Sequence, residues 1–463
     1  MKHLKTDVAI IGTGTAGLSA YRAIKSAGMN ALLIEGGPYG TTCARVGCMP
    51  SKLLIAAAEA AHGAAHTAPF GVHVDGEVRV DGVQVMDRVK RERDRFVGFV
   101  LESVEAIADE DKVRGYARFL SDTLLQVDDH TQIEASRVVI ATGSTPVVPD
   151  MYKELGDRLV VNDDVFAWDN LPQRVLVVGP GVIGLELGQA LARLDVFVRV
   201  VGRSDSLGGM TDPEVKASAL AAFQEEFDLQ LETEVLGVQR FGDEVEVRYV
   251  KADKTEVTER FDYVLMATGR RPNTSRLDLQ NTSAVLDKRG VPEFDEGTLQ
   301  LAGATSIFIA GDVNGDIPLL HEAADDGRIA GENAARFPDV KRAQRRARLS
   351  VVFTDPQIAH IGVHFKNLSK AGVVIGSVDF RNQGRSRVIL KNRGKLRVYA
   401  NKADGRFLGA EMAGPSAEHI GHLLAWAVQQ KLTVPQMLEM PFYHPVIEEG
   451  LRTALRDAAA QLA

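Results

Sequence analysis

Cysteine is almost absent. Cys43 and Cys48 are the two in 463 residues, which excludes a disulfide framework and a four-cysteine zinc module. Long apolar runs are missing as well: no segment approaches the roughly 18 uninterrupted apolar residues of a membrane span. Met1 to Asp7 is polar and charged, so no secretory leader is expected and the chain is predicted to be soluble and cytoplasmic. Excess positive charge is also lacking, with a net charge of −8. The short KRAQRRAR near Lys341 is the sole sustained basic block; it reads as a solvated interdomain surface, and nucleic-acid binding is not expected.

What the chain does contain is organised. With 45% hydrophobic residues and 43 glycines, it is too long for one core and predicts about three domains. Its two cysteines sit together in YGTTCARVGCMPSK. A disulfide closing so short a loop removes little entropy from the unfolded chain, so stapling is a weak reason for the pair. In a reducing compartment such a pair is catalytic or metal-binding. Cys43, Cys48, His62 and His66 would supply four zinc ligands on paper. However, Pro50 starts a helix that LLIAAAEAAHGAAH continues, placing His62 roughly 18 Å along the axis at about 1.5 Å per residue. Zinc needs all its ligands at about 2 Å. The pair therefore reads as redox, the histidines as helix surface, and no metal site is expected.

Two dinucleotide signatures lie far apart, each in strand-turn-helix surroundings. DVAIIGTGTAGLSAYRAIKSAG carries Gly12, Gly14 and Gly17 between a strand and a helix, and the next strand, ALLIE, ends at Glu35. The glycines admit a pyrophosphate at the helix N-terminus and the acid suits ribose hydroxyls. RVLVVGPGVIGLELGQALARL repeats the pattern with Gly179, Gly181 and Gly184. Strands ending in Thr142-Gly143 and in Thr268-Gly269 let backbone approach a cofactor, and SIFIAGD places Gly311 and Asp312 at another strand end. After about residue 346, short alternating strands and two helices predict an α+β domain without a cofactor signature.

This ordered series resembles the class I pyridine nucleotide-disulfide oxidoreductases, most of all their dihydrolipoamide dehydrogenase branch. The resemblance implies an α/β fold with two Rossmann-like domains and a C-terminal α+β dimerisation domain. FAD would bind about 1 to 149 and 277 to 345, a nicotinamide cofactor about 150 to 276, and 346 to 463 would form a homodimer. It implies that Cys48 is the thiolate against the flavin and Cys43, beside Thr42, the thiol that exchanges with substrate. A helix N-terminus near Cys48 would favour its thiolate. Lys52 would lie by the flavin, ion-paired with Glu186. His444 and Glu449 of HPVIEE resemble the acid/base dyad that serves the other subunit, the imidazole taking the thiol proton and the glutamate orienting the ring.

The motifs also depart from the family pattern. Thr41 stands for a glycine, Arg45 for an asparagine, and Val446 and Glu448 alter the HPTxSE ending. Gly202 occupies the strand end where NAD-using members place an acid, and Arg203 follows it, as in NADPH-using relatives, so NAD and NADP both remain open. The implied reaction is oxidation of dihydrolipoamide, free or on a lipoylated carrier protein of a 2-oxoacid dehydrogenase complex. The rival readings are an NADPH-dependent reductase of another disulfide, a soluble transhydrogenase, and a non-catalytic flavoprotein subunit. The last two leave the intact thiol pair unexplained, and a C-terminus without a second thiol pair disfavours mercuric and large thioredoxin reductases.

Overall fold

The run Val8 to Ile11 is buried throughout, as a strand covered on both faces requires, and it completes the strand Lys2–Ile11. The structure, a computed structural model, describes residues 1–369 and 372–462. Its chain divides into two bodies: Met1–Pro50, Arg88–Val147 and Gly269–Arg345 form one, and Ser51–Asp87, Val148–Thr268 and Arg346–Ala463 the other.

In the first body Lys2–Ile11 pairs in parallel with Ala31–Glu35 on one side and Thr131–Ile140 on the other, with Val8 beside Ala31 and Arg137. Lys112–Arg114 and Ile307–Ile309 extend the parallel set, while Ala117–Ser121 and Leu124–Val127 add an antiparallel ribbon. The helices Thr15–Ser26 and Leu320–Arg336 pack together, helped by Gly327, where a Cβ would fall 2.1 Å from the Ala16 carbonyl oxygen. A two-stranded ribbon, Ser144–Pro146 with Arg270–Pro272, completes this body.

The second body holds a five-stranded parallel sheet around Arg174–Val178 and a three-stranded antiparallel sheet, Glu234–Phe241, Glu244–Val250 and Glu256–Phe261. It also holds a five-stranded antiparallel sheet in the order Leu349–Val352, Gln357–Gly362, Phe407–Gly414, Lys395–Asn401, Val373–Asp379. The helices Ala417–Gln429 and Glu448–Ala460 bury Ile420, Leu424, Leu451 and Leu455 in a core with Phe380, Val398 and Met412. A mainly parallel mixed α/β sheet, a parallel α/β sheet and an antiparallel α+β sheet make up the predicted class. Among the described residues no helix is long and apolar enough to cross a membrane.

In the basic run near Lys341, Lys341, Arg342, Arg346 and Arg348 are exposed as a solvated surface requires, and Arg345 is the exception. Arg345 is 20% exposed and bonds Glu322 at 3.1 Å and Asp326 at 2.8 Å, both nearly buried. Both contacts are made by one guanidinium nitrogen, Nη2, and a guanidinium, being more weakly hydrated than an ammonium, is the cation better suited to such a part-buried position.

Candidate active site

The first signature closes tightly. Gly12 has φ +108, and a Cβ there would fall 2.4 Å from the Ala141 carbonyl oxygen, so no other residue fits that turn. One at Gly17 would fall 1.9 Å from the Gly12 oxygen. At Gly14 a Cβ would meet nothing within 4 Å, and Gly14 caps the helix Thr15–Ser26 without a side-chain hydrogen bond. That combination of open space and first-turn N–H groups fits a pyrophosphate. Glu35 is held at its strand end, accepting from Thr13 N (2.9 Å) and Oγ1 (2.8 Å) and from Gly37 N (2.7 Å). A carboxylate offers about four acceptor positions, which leaves one for a ribose hydroxyl.

The paired strand endings are knitted to each other. Thr142 Oγ1 donates to the Asn273 carbonyl at 2.8 Å while Asn273 Nδ2 donates to the Thr142 carbonyl at 3.0 Å. Ser144 Oγ donates to Asp312 at 2.8 Å and receives Arg270 Nε at 2.8 Å. Gly143, Gly269 and Gly311 all have positive φ. Asp326, whose pKa burial pushes up, accepts from Gly311 N at 3.2 Å and Asn314 at 2.8 Å. It thereby ties Arg345 to the loop that presents Asp312. Ser144, Arg270, Asn273 and Asp326 were missed in the sequence. The first three adjoin the Thr-Gly endings, so the doubled motif was the available signal.

The second signature repeats the first, with Gly179 at φ +111 and its Cβ position 2.4 Å from the Ala267 oxygen, and Gly184 1.9 Å from the Gly179 oxygen. Gly181 caps the helix Val182–Arg193 without a side-chain hydrogen bond. At Gly202 a Cβ would lie 2.6 Å from Pro180 Cγ and 2.8 Å from Cδ. The proline of the glycine turn therefore forces a glycine at the strand end where an acid would stand. Arg203 beyond it is exposed.

Cys43 lies half-buried in the helix Thr42–Val46, and Cys48, exposed, opens the helix Cys48–Ala65. Thr41 keeps the backbone shape that favours glycine, with φ 56 and ψ 150, and caps its helix by accepting Ala44 N at 3.3 Å. Such a φ costs a non-glycine residue on the order of 1–3 kcal/mol, which a cap worth about 1 kcal/mol partly offsets. His62 lies in the last turn before Ala65, stacked on His66 at 4.0 Å and 4.0 Å from Glu226. Lys52 and Glu186, 134 residues apart, meet at 2.7 Å. The second Glu186 oxygen accepts Phe353 N at 2.9 Å, and the Lys52 ammonium sits 4.4 Å from the centre of the Phe353 ring.

His444 Nδ1 stands 2.9 Å from Glu449 Oε2, and Glu449 also accepts from Val446 N (3.3 Å) and Arg452 (2.7 Å). The hydrogen bond from His444 leads the interactions that hold the Glu449 carboxyl below its usual range. A carboxylate on Nδ1 keeps the proton there and leaves Nε2 with a lone pair. The ring is 80% exposed while Glu449 is 17% exposed, so a fixed acceptor holds a histidine that is open to a reactant.

The pyridine nucleotide-disulphide oxidoreductase profile matches residues 6–327, and that of the family's dimerisation domain residues 349–455. The chain is 32% identical to a dihydrolipoyl dehydrogenase of Haloferax volcanii, the match spanning 98% of this chain and 97% of the relative. It is 29% identical to a mercuric reductase of Streptomyces lividans over 100% of this chain and 98% of the relative. A solved Cu(II) complex of the HOCl-induced flavoprotein disulfide reductase RclA from Escherichia coli shares its fold, with a TM-score of 0.82 at 22% identity, covering 98% of this chain and 99% of that one.

Proposed function

The chain belongs to the pyridine nucleotide-disulphide oxidoreductases, enzymes that use FAD and a pyridine nucleotide, and from that premise we propose that it is a dihydrolipoamide dehydrogenase acting as a homodimer. The observation that carries the reading is the exposed His444 held by Glu449 at 2.9 Å, because a dithiol substrate must lose protons before its sulfur can attack. His444 Nε2 takes the first proton. The substrate thiolate attacks Cys43 in the Cys43–Cys48 disulfide, forming a mixed disulfide and releasing the Cys48 thiolate. The second substrate thiol then displaces Cys43, so lipoamide leaves as a cyclic disulfide and the pair remains as a dithiol. FAD, when bound, supplies a carrier that moves the electron pair from this dithiol to the nicotinamide. Lys52, held by Glu186 at 2.7 Å, would supply a positive charge toward that carrier. Glu35 and Asp312 would hold its hydroxyls, and the glycines of the two signatures, with Thr42, Thr142, Gly143, Gly269 and Gly311, would admit the cofactors' backbones.

NAD is the proposed acceptor, with discrimination against NADP weaker than an acid at position 202 would give. The identity of 32% to a dihydrolipoyl dehydrogenase supports the substrate, and a lipoylated carrier protein is its proposed physiological form. The test is a matrix of NADH and NADPH against lipoamide, glutathione disulfide and quinone, run on wild type and Cys43→Ser. Lipoamide with NADH should turn over fastest, and Cys43→Ser should lose that activity while keeping its flavin. Turnover of another disulfide with lipoamide untouched would replace the substrate, and full activity in Cys43→Ser would remove the thiol mechanism.

A further inference from the structure

The sequence predicts no metal site, yet the C-terminal sheet brings three donors to one place. His360 on the strand Gln357–Gly362 lies directly opposite Glu411 on the strand Phe407–Gly414. Gly362, with φ +61, turns the chain at the strand end; a Cβ there would fall 2.3 Å from the Leu408 oxygen. His364 follows with its ring 5.3 Å from that of His360. Each histidine Nδ1 stands 3.8 Å from the Glu411 carboxylate, and the three ligating groups fall within 4.8 Å of one another.

The protons sharpen this arrangement. His360 Nε2 is 3.2 Å from the Gly208 carbonyl oxygen, which can only accept, so Nε2 carries the proton and Nδ1 a lone pair. That Nδ1 is buried in a side chain 6% exposed and has no hydrogen-bond partner among the described residues. It faces the buried Glu411 carboxylate at 3.8 Å, too far for a hydrogen bond. A lone pair aimed at a buried anion repels it, and an orphaned buried polar group costs about 1–3 kcal/mol.

We propose that His360, His364 and Glu411 form a binding site for a divalent cation of the zinc class. Two imidazoles and one carboxylate are ligands such an ion accepts at about 2.0–2.2 Å. The separations of 3.8 Å close around it with a small inward movement. The His360 Nε2–H on a backbone carbonyl is the outer contact that orients a metal-bound imidazole. Glu411 already accepts from Thr211 N (2.7 Å), Asp212 N (2.8 Å), Phe365 N (3.1 Å) and the Thr211 hydroxyl. The hydroxyl alone of these can rotate, freeing a lone pair. His364, 31% exposed, is the entry side. The bound ion ties two neighbouring strands and the turn that follows Gly362.

The test is zinc titration of the FAD-loaded Cys43→Ser/Cys48→Ser protein, which removes the thiols as competitors, against a chromophoric zinc indicator. One zinc ion per chain should bind, and His364→Ala should lose affinity by at least about tenfold, whereas His62→Ala/His66→Ala should not. Zinc should raise the melting temperature of the parent but not of the His364→Ala variant. Glu411→Gln should also lose zinc; should it fail to fold, the part-exposed His364 still decides. Absence of stoichiometric zinc, or unchanged affinity in His364→Ala, overturns the site and leaves the reading of Cys43 and His444 untouched.

Discussion

Pro180 occupies the space that a side chain on residue 202 needs, with ring carbons 2.6 Å and 2.8 Å from the Cβ position of Gly202. The missing acid is thus a consequence of the turn before it, a coupling that motif reading could not reveal because the two residues belong to different strands' ends. An acid at this position accepts the ribose hydroxyls and repels a 2′-phosphate. Gly202→Glu alone should therefore weaken both NADH and NADPH binding through displacement of the proline. Pro180→Gly/Gly202→Glu should instead widen the NADH preference by about tenfold or more, equivalent to roughly 1.4 kcal/mol. Comparing kcat/KM for both cofactors across wild type, the single and the double variant checks this. A single Gly202→Glu that gains NADH selectivity with no loss of affinity would show that the proline yields freely.

The helices Cys48–Ala65 and Val182–Arg193 each bring one charge to a shared pair, Lys52 to Glu186, in which the acid is 6% and the lysine 32% exposed. Removing one partner of such a pair leaves the other buried and uncompensated, while removing both does not. Lys52→Met should cost about 1–3 kcal/mol, below the fully buried figure because the ammonium is part-exposed. Lys52→Met/Glu186→Leu should cost less than Lys52→Met alone. Urea unfolding of the flavin-loaded variants measures this, and strict additivity of the two substitutions would show that the pair is not coupled. Helix and strand positions of this kind were legible, because Pro50, the apolar periodicity and the β-branched runs act locally. The partnering of Lys52 with Glu186 came from the family resemblance, since nothing local to either residue signals it. Arg345 was misread for the same reason: a basic run looks solvated until the tertiary fold supplies Glu322 and Asp326. The His360, His364 and Glu411 cluster was invisible because strand pairing across some fifty residues, and not sequence spacing, brings it together.

At the scale of the whole molecule, the face around His444 is unusual for its apolar exposure: Tyr443 is 79%, Trp426 65% and Met440 50% exposed. Apolar side chains left open to this degree beside a match to a dimerisation domain are those a second copy would cover. His444, next to Tyr443, is itself 80% exposed, and the proposal to be tested is that in the homodimer each histidine serves its partner's thiols. His444→Gln should lower lipoamide turnover by about 10² to 10⁴, the usual contribution of a general acid-base group, while retaining flavin. Cys43→Ser should be inactive for a separate reason. Co-expressing the two variants under different affinity tags and isolating the heterodimer creates one site with Cys43 from one chain and His444 from the other, both intact. Activity should return in that species and be absent from either parent homodimer. If the isolated heterodimer stays as inactive as its parents, His444 serves its own chain's thiols or none, and the exposed face must be covered for a reason other than catalysis.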